Sequence, residues 1–248
     1  MPPDPARRRR LRLIGRAILV LLVAAAVVVT AVAVISHARS DGRSGAGVAA
    51  HATRAAAPGR SLPPAADGEA PGWMSLVGVR LPVSPTAGPR TTASGRAAGF
   101  APTAVGAAYA ALHLSLRASP EVGPAIFEPT FAGQVVGEGT AALLASVRAA
   151  YDQLQATSTV HYGQPAGQVR ARPLGYRVDT LDSRVASVRL LMESADDSGA
   201  MVLTTCVVRL SWMHGDWVLV APPGGDWAPM VAQVYSRSGF TPFPAPAV

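Results

Sequence analysis

The sequence predicts an α+β domain held behind an N-terminal membrane anchor. Three observations predict it. A 19-residue uncharged apolar run follows a cluster of arginines, helical spacing of apolar residues marks residues 103–117 and 140–155, and alternating spacing dominates residues 172–220. Helices followed by consecutive hairpin strands point to helices packed on one face of an antiparallel sheet.

The apolar run is Ala17 to Ile35, AILVLLVAAAVVVTAVAVI. It is close to the ~20 residues a helix needs to cross a ~30 Å hydrocarbon core. Arg7, Arg8, Arg9, Arg10, Arg12 and Arg16 precede it, while Arg39 and Arg43 follow with Asp41 between them. The positive-inside bias therefore expects residues 1–16 to be a basic cytoplasmic segment, 17–35 a single transmembrane helix, and the rest to be outside the cell membrane. Ala31-Val32-Ala33 has the small residues of a signal cleavage site, but the apolar run exceeds the ~7–15 residues of a signal h-region. The arginine cluster reads as topogenic charge that also meets anionic lipid headgroups.

Charge is unevenly spread along the 248 residues, whose formal total is +7. Residues 1–97 carry 13 Arg and 4 acidic residues, whereas residues 98–230 carry 8 Arg and 11 acidic residues. The basic character belongs to the anchor and tether, so no direct nucleic-acid contact is expected of the folded part. The chain has no Lys, which rules out a Walker-type phosphate-binding lysine and a Schiff-base lysine. Its one cysteine, Cys206, has no partner in the chain for a disulfide.

Residues 36–72 are rich in Ala, Gly, Pro, Ser and Arg and read as a disordered linker, too poor in apolar surface to offset ordering entropy. Residues 73–100 hold Trp73, Leu76, Val77, Val79, Leu81 and Val83 among the prolines at 82, 85 and 89. The expectation there is an extended arm packed on the domain with Trp73 in a surface groove; a partner-binding arm is the alternative.

The globular domain is expected over 101–230. Val105, Ala108, Leu112 and Leu116 predict a helix capped by Thr103. Pro120, Pro124 and Pro129 predict a break, and Thr140 is expected to cap a second helix running to about Gln155, with Leu143, Leu144, Val147, Tyr151 and Leu154 on its apolar face. Strands follow from Arg172, from Arg184 to Glu193, from Ala200 to Met213 and from Trp217 to Val220, stopped by Pro222-Pro223. Ala186, Val188, Leu190 and Met192 share one face, as do Val202, Thr204, Cys206, Val208, Leu210 and Trp212. Residues 231–248 read as a flexible tail, with the proline-rich Phe240–Pro246 as an alternative docking peptide.

The closing hairpin Trp212-Met213-His214-Gly215-Asp216-Trp217 resembles that of the NTF2-like fold, a cone of helices on a curved antiparallel sheet. The wider pattern is Gly78-Val79-Arg80-Leu81-Pro82-Val83-Ser84, Ala87-Gly88-Pro89, Gly99-Phe100 and Gly106-Ala107-Ala108. Across residues 73–227 it resembles actinobacterial membrane proteins associated with integrative and conjugative elements. Their anchor–linker–NTF2-like layout is similar to the VirB8/TcpC components of conjugative secretion machines. The resemblance implies a scaffold that contacts membrane lipids, other envelope proteins of the transfer machine and copies of itself. Mce-associated proteins of lipid transport share the layout, and a small-ligand-binding or enzymatic NTF2-like domain is a third reading.

Residue by residue, the bland interpretation leads. His113 falls mid-helix, His161 in a loop and His214 in a turn, none at metal-ligand spacing. An acid/base set of His161, Tyr162 and Asp152 has only proximity in sequence behind it. Glu128 reads as a loop carboxylate, Asp179 and Asp182 as turn residues, and Cys206 as a small buried hydrophobe. Gly224-Gly225-Asp226-Trp227 lacks the helix that phosphate cradling needs, and Trp212 and Trp217 read as core and hairpin packing. No catalytic, cofactor-binding or metal-binding residue is assigned, no cofactor is expected, and the protein is expected not to be an enzyme.

Overall fold

A computed structural model of the protein describes residues 72–196 and 198–244. The basic segment, the predicted span at 17–35 and all of the predicted linker except Gly72 lie outside these residues. Among the described residues no helix is long and apolar enough to cross a membrane.

The elements run β1 (Gly72–Leu76), β2 (Val79–Val83), α1 (Ala104–Arg117), α2 (Pro124–Gln134), β3 (Val135–Val136), α3 (Thr140–Ala156), β4 (Arg172–Leu181), β5 (Val185–Ala195), β6 (Met201–Met213), β7 (Asp216–Val220), β8 (Val231–Val234) and β9 (Thr241–Pro242). The class is α+β. Seven strands form one sheet in the order β3-β7-β6-β5-β4-β9, with β8 beside the first half of β6 and β7 beside its second half. All pairs are antiparallel except β3 with β7.

The predicted inner rows are the buried ones. Ala186, Val188, Leu190 and Met192 on β5 lie beside Thr204, Cys206, Val208 and Leu210 on β6 in a continuous register. Val202 and Trp212, at the two ends of that row, are half-buried. Two register shifts in β4, at Pro173/Gly175 and Val178/Thr180, mark bulges that add local twist.

Helix α1 begins as expected, with the Thr103 hydroxyl accepting from the Gly106 N–H at 3.1 Å. It is buried on nearly every side, which an amphipathic pattern alone does not foresee. Besides the sheet, it packs against α2 and against β2, whose Val79 and Leu81 belong to the same core. The helix is therefore an inner element, and its five Ala residues and Gly106 let these neighbours approach.

Several expectations are corrected. The extended arm at 73–100 is instead a β-hairpin followed by a loop built into the domain, with Leu81, Ala97 and Phe100 in the main core. Pro82 is compatible with a strand because β2 pairs only with β1. Trp73 sits opposite Pro82, with the Arg80 guanidinium 5.7 Å from its ring centroid. The domain thus starts well before residue 101.

It also ends after 230. The flexible tail predicted at 231–248 supplies β8 and β9, and Phe243 is buried against Tyr109 and Tyr176. The proline-broken stretch is helix α2, since Pro124 occupies the first turn, where a missing N–H costs nothing. Pro129 lies inside α2, and the Gly95 backbone packs against the turn it opens, near the Ala125 carbonyl and Pro129 Cγ. Glu128 consequently rides on a helix, not a loop. Asp179 lies within β4 rather than in a turn, and Gly139, not Thr140, caps α3.

Candidate functional site

The β6–β7 hairpin turns through His214 (φ 54°) and Gly215 (φ 79°), the two left-handed residues of a type I′ turn. That turn sets Asp216 facing residues 99–100. The carboxylate accepts N–H groups from Gly99 at 2.6 Å, from Phe100 at 3.0 Å and from Trp217 at 2.9 Å. Trp217 Nε1–H donates to the Ala101 carbonyl at 2.9 Å, and its ring meets Trp212 edge-on at 5.0 Å.

Gly88, Gly99 and Gly106 of the pattern belong to the same junction. A Cβ on Gly88 would stand 2.7 Å from the Gly99 carbonyl, and one on Gly106 would collide with that of Ala101. The segments that carried the sequence resemblance, Gly88, Gly99-Phe100, Gly106 and Asp216-Trp217, are therefore one interlocked piece of structure.

Beside this junction lies a groove of about 290 Å³ between residues 91–98, the α2 end at Gly133-Gln134 and residues 213–218. Its polar lining includes Thr91, Ser94, Arg96, Gln134, His214 and Asp216. Gln134 is 5% exposed, and its Nε2–H donates to the Ala97 carbonyl at 2.6 Å. Its Oε1 has no hydrogen-bond partner. Sequence reasoning singled out neither Gln134 nor Arg96, because each matters only through a neighbour distant in sequence.

The candidate residues scatter over the domain. His113, 0% exposed, donates from Nε2 to the Pro82 carbonyl at 2.8 Å and accepts at Nδ1 from Arg117 Nη1 at 3.2 Å. Burial pulls its pKa down to about 3; the Pro82 bond opposes this and Arg117 adds to it. It is a neutral latch between hairpin and helix. Arg117 is 3% exposed and also reaches the Met74 sulfur at 3.8 Å, and burial lowers its pKa to about 10.

His161 and Tyr162 are exposed, and no hydrogen bond joins either to Asp152. Glu128 makes a two-point ion pair with Arg148. Asp179 pairs with Arg177 and Arg189, and the Asp182 carboxylate accepts from the Arg184 and Val185 N–H groups. The Cys206 thiol is buried, which pushes its pKa up to about 12. Gly225 packs against the backbone of Leu143, at the start of α3, with no room for a Cβ, so the glycine-rich turn fills that site. Among the described residues no group of three His, Cys, Asp or Glu could hold a metal ion.

A family model matches residues 35–242, most of the chain. The protein belongs to the family described as a domain of unknown function, DUF8175. The DUF8175 match takes in the interlocked junction, the groove and both short terminal strands, β8 and β9. No curated protein and no solved structure matches the chain.

Proposed function

We propose that this DUF8175 protein is a membrane-anchored, non-enzymatic scaffold of an envelope machine of the conjugative, type IV secretion-like kind. One observation carries the reading: the Asp216 carboxylate and the Trp217 indole N–H of the signature hairpin are spent on packing. Asp216 accepts three backbone N–H groups, and Trp217 Nε1–H is bound to Ala101, so the motif builds a rigid body rather than a reactive centre.

The layout supports the same role. Residues 17–35 have the length and composition of a membrane span, with the arginine cluster on the cytoplasmic side. The family match begins at residue 35, where that span would end. Helices on one face of an antiparallel sheet, closed by the Trp212–Trp217 hairpin, favour an NTF2-like arrangement.

The test is crosslinking of the tagged full-length protein in its native membranes, with partners identified by mass spectrometry. Recovery of transfer-channel subunits or a conjugative ATPase is expected. Recovery of lipid-transport subunits alone would move the protein to the Mce-associated role, and recovery of neither would overturn the scaffold reading.

A further inference from the structure

We infer that the groove between residues 91–98, the α2 end and the β6–β7 hairpin is the docking site for a short acidic peptide segment of a partner protein. The inference rests on the scaffold reading for what kind of molecule the partner is. Its chemistry comes from the groove.

Charge sets the sign of the occupant. Asp216 is the one carboxylate in the lining, and both its oxygens are engaged by backbone N–H groups. Arg96 is exposed, and among the described residues its guanidinium has no ion-pair or hydrogen-bond partner. The groove therefore offers a free guanidinium, which binds carboxylate through a planar two-point contact.

Gln134 supplies a second requirement. Turning its amide over would set Oε1 against the Ala97 carbonyl at 2.6 Å, so the Nε2–Ala97 bond fixes the orientation. The buried Oε1 is thus an acceptor without a donor, a costly state that a peptide N–H relieves. Arg96 lies across the α2 end, its Nη1 3.0 Å from where a Gly133 Cβ would stand.

Shape and backbone agree with this. Ser94 holds φ 53°, a left-handed conformation unusual for a residue with a side chain, and it lines the groove. Met213, also in the lining, is an exposed apolar side chain that gives a peptide non-polar contact. A volume of about 290 Å³ accepts a few side chains rather than a folded surface.

The test uses the full-length chain in detergent with the photocrosslinker p-benzoylphenylalanine in place of Ala93, an exposed residue of the lining. It is offered a decapeptide mixture in which Asp/Glu members are matched by Asn/Gln members. The photocrosslinker labels only what lies beside residue 93, so capture reports on the groove. At least tenfold enrichment of acidic peptides is expected, abolished by Arg96→Glu and retained by Arg209→Glu elsewhere on the sheet. Gly133→Ala, which keeps the helix but displaces the guanidinium, is expected to weaken capture with no loss in thermal stability. Equal capture of both peptide sets, or enrichment that survives Arg96→Glu, would overturn the inference. Because isolated peptides are used, this result is independent of which proteins the membrane crosslinking recovers.

Discussion

Asp216 Oδ2 accepts the Gly99 N–H at 2.6 Å across 117 positions of sequence, tying the turn before α1 to the last long hairpin of the sheet. With the Phe100 and Trp217 N–H groups on the other oxygen, this one carboxylate organises the junction on which the groove is built.

Asp216→Ala strands the Gly99 and Phe100 N–H groups in a partly buried site. Charged hydrogen bonds contribute about 1.5–3 kcal/mol each, with the loss shared among the set, so a destabilisation of about 2–4 kcal/mol is expected in urea melts. Asp216→Asn should fall between, because its amide NH2 faces one of the donors. A loss under about 0.5 kcal/mol for Asp216→Ala would show that the clasp is not formed in solution.

Gly106→Ala reverses the usual sign for a helix. Alanine ordinarily stabilises a helix by up to ~1 kcal/mol relative to glycine, but here the added methyl meets the Ala101 carbonyl. Gly106→Ala should lower the melting temperature, while Gly133→Ala, whose methyl meets only the flexible end of Arg96, should hold or raise it. Thermal melts of the two variants side by side decide it.

His113 makes stability depend on pH. Its pKa is about 3 in the fold against 6.5 for the free side chain, so the unfolded chain takes up a proton between those values and the folded chain does not. Stability should therefore fall as pH drops from about 6.5, by up to ~1.4 kcal/mol per unit from this group. Urea melts between pH 4.5 and 6.5, above the carboxylate range, should show that slope. His113→Gln should remove it, and an unchanged slope would contradict the buried neutral latch.

Cys206 predicts both protection and an alkaline limit. The native thiol should resist a thiol-specific reagent and react only as the chain opens, at a rate that follows unfolding. Its pKa of about 12, against 9 when free, means the unfolded thiol loses its proton first. Stability should thus decline as pH rises above 9, reinforced above 10 by Tyr109, which burial likewise raises to about 12. Immediate labelling of the folded protein at pH 8 would refute the burial.

Wherever local chemistry decides, the residues could be read directly. The Thr103 cap, the inward rows of β5 and β6 and the His214-Gly215 turn all depend on neighbours a few positions apart. Helix α2 was hidden because its prolines read as breakers, although Pro124 is tolerated in a first turn and Pro129 is accommodated by the packing of Gly95. The arm read as extended rather than as a hairpin because its prolines argue against a paired strand, and the tail read as loose because its apolar residues are sparse. Leu81 and Phe243 are held by contacts with α1 and β4 that have no local signature.

By itself, the sequence determined the α+β class, the strand faces, the first helix cap, the apolar run with its flanking charge and the expectation that Cys206 is buried. These follow from periodicity, backbone preference and hydropathy, which act over a few residues. Only the tertiary structure decided that α1 packs against β2 and α2 as well as the sheet, that Asp216 grips Gly99 and Phe100, and that Arg96 and Gln134 share a groove. Those relations join residues tens to more than a hundred positions apart, and hydrogen bonding and close packing at that range leave no pattern in a single chain to read.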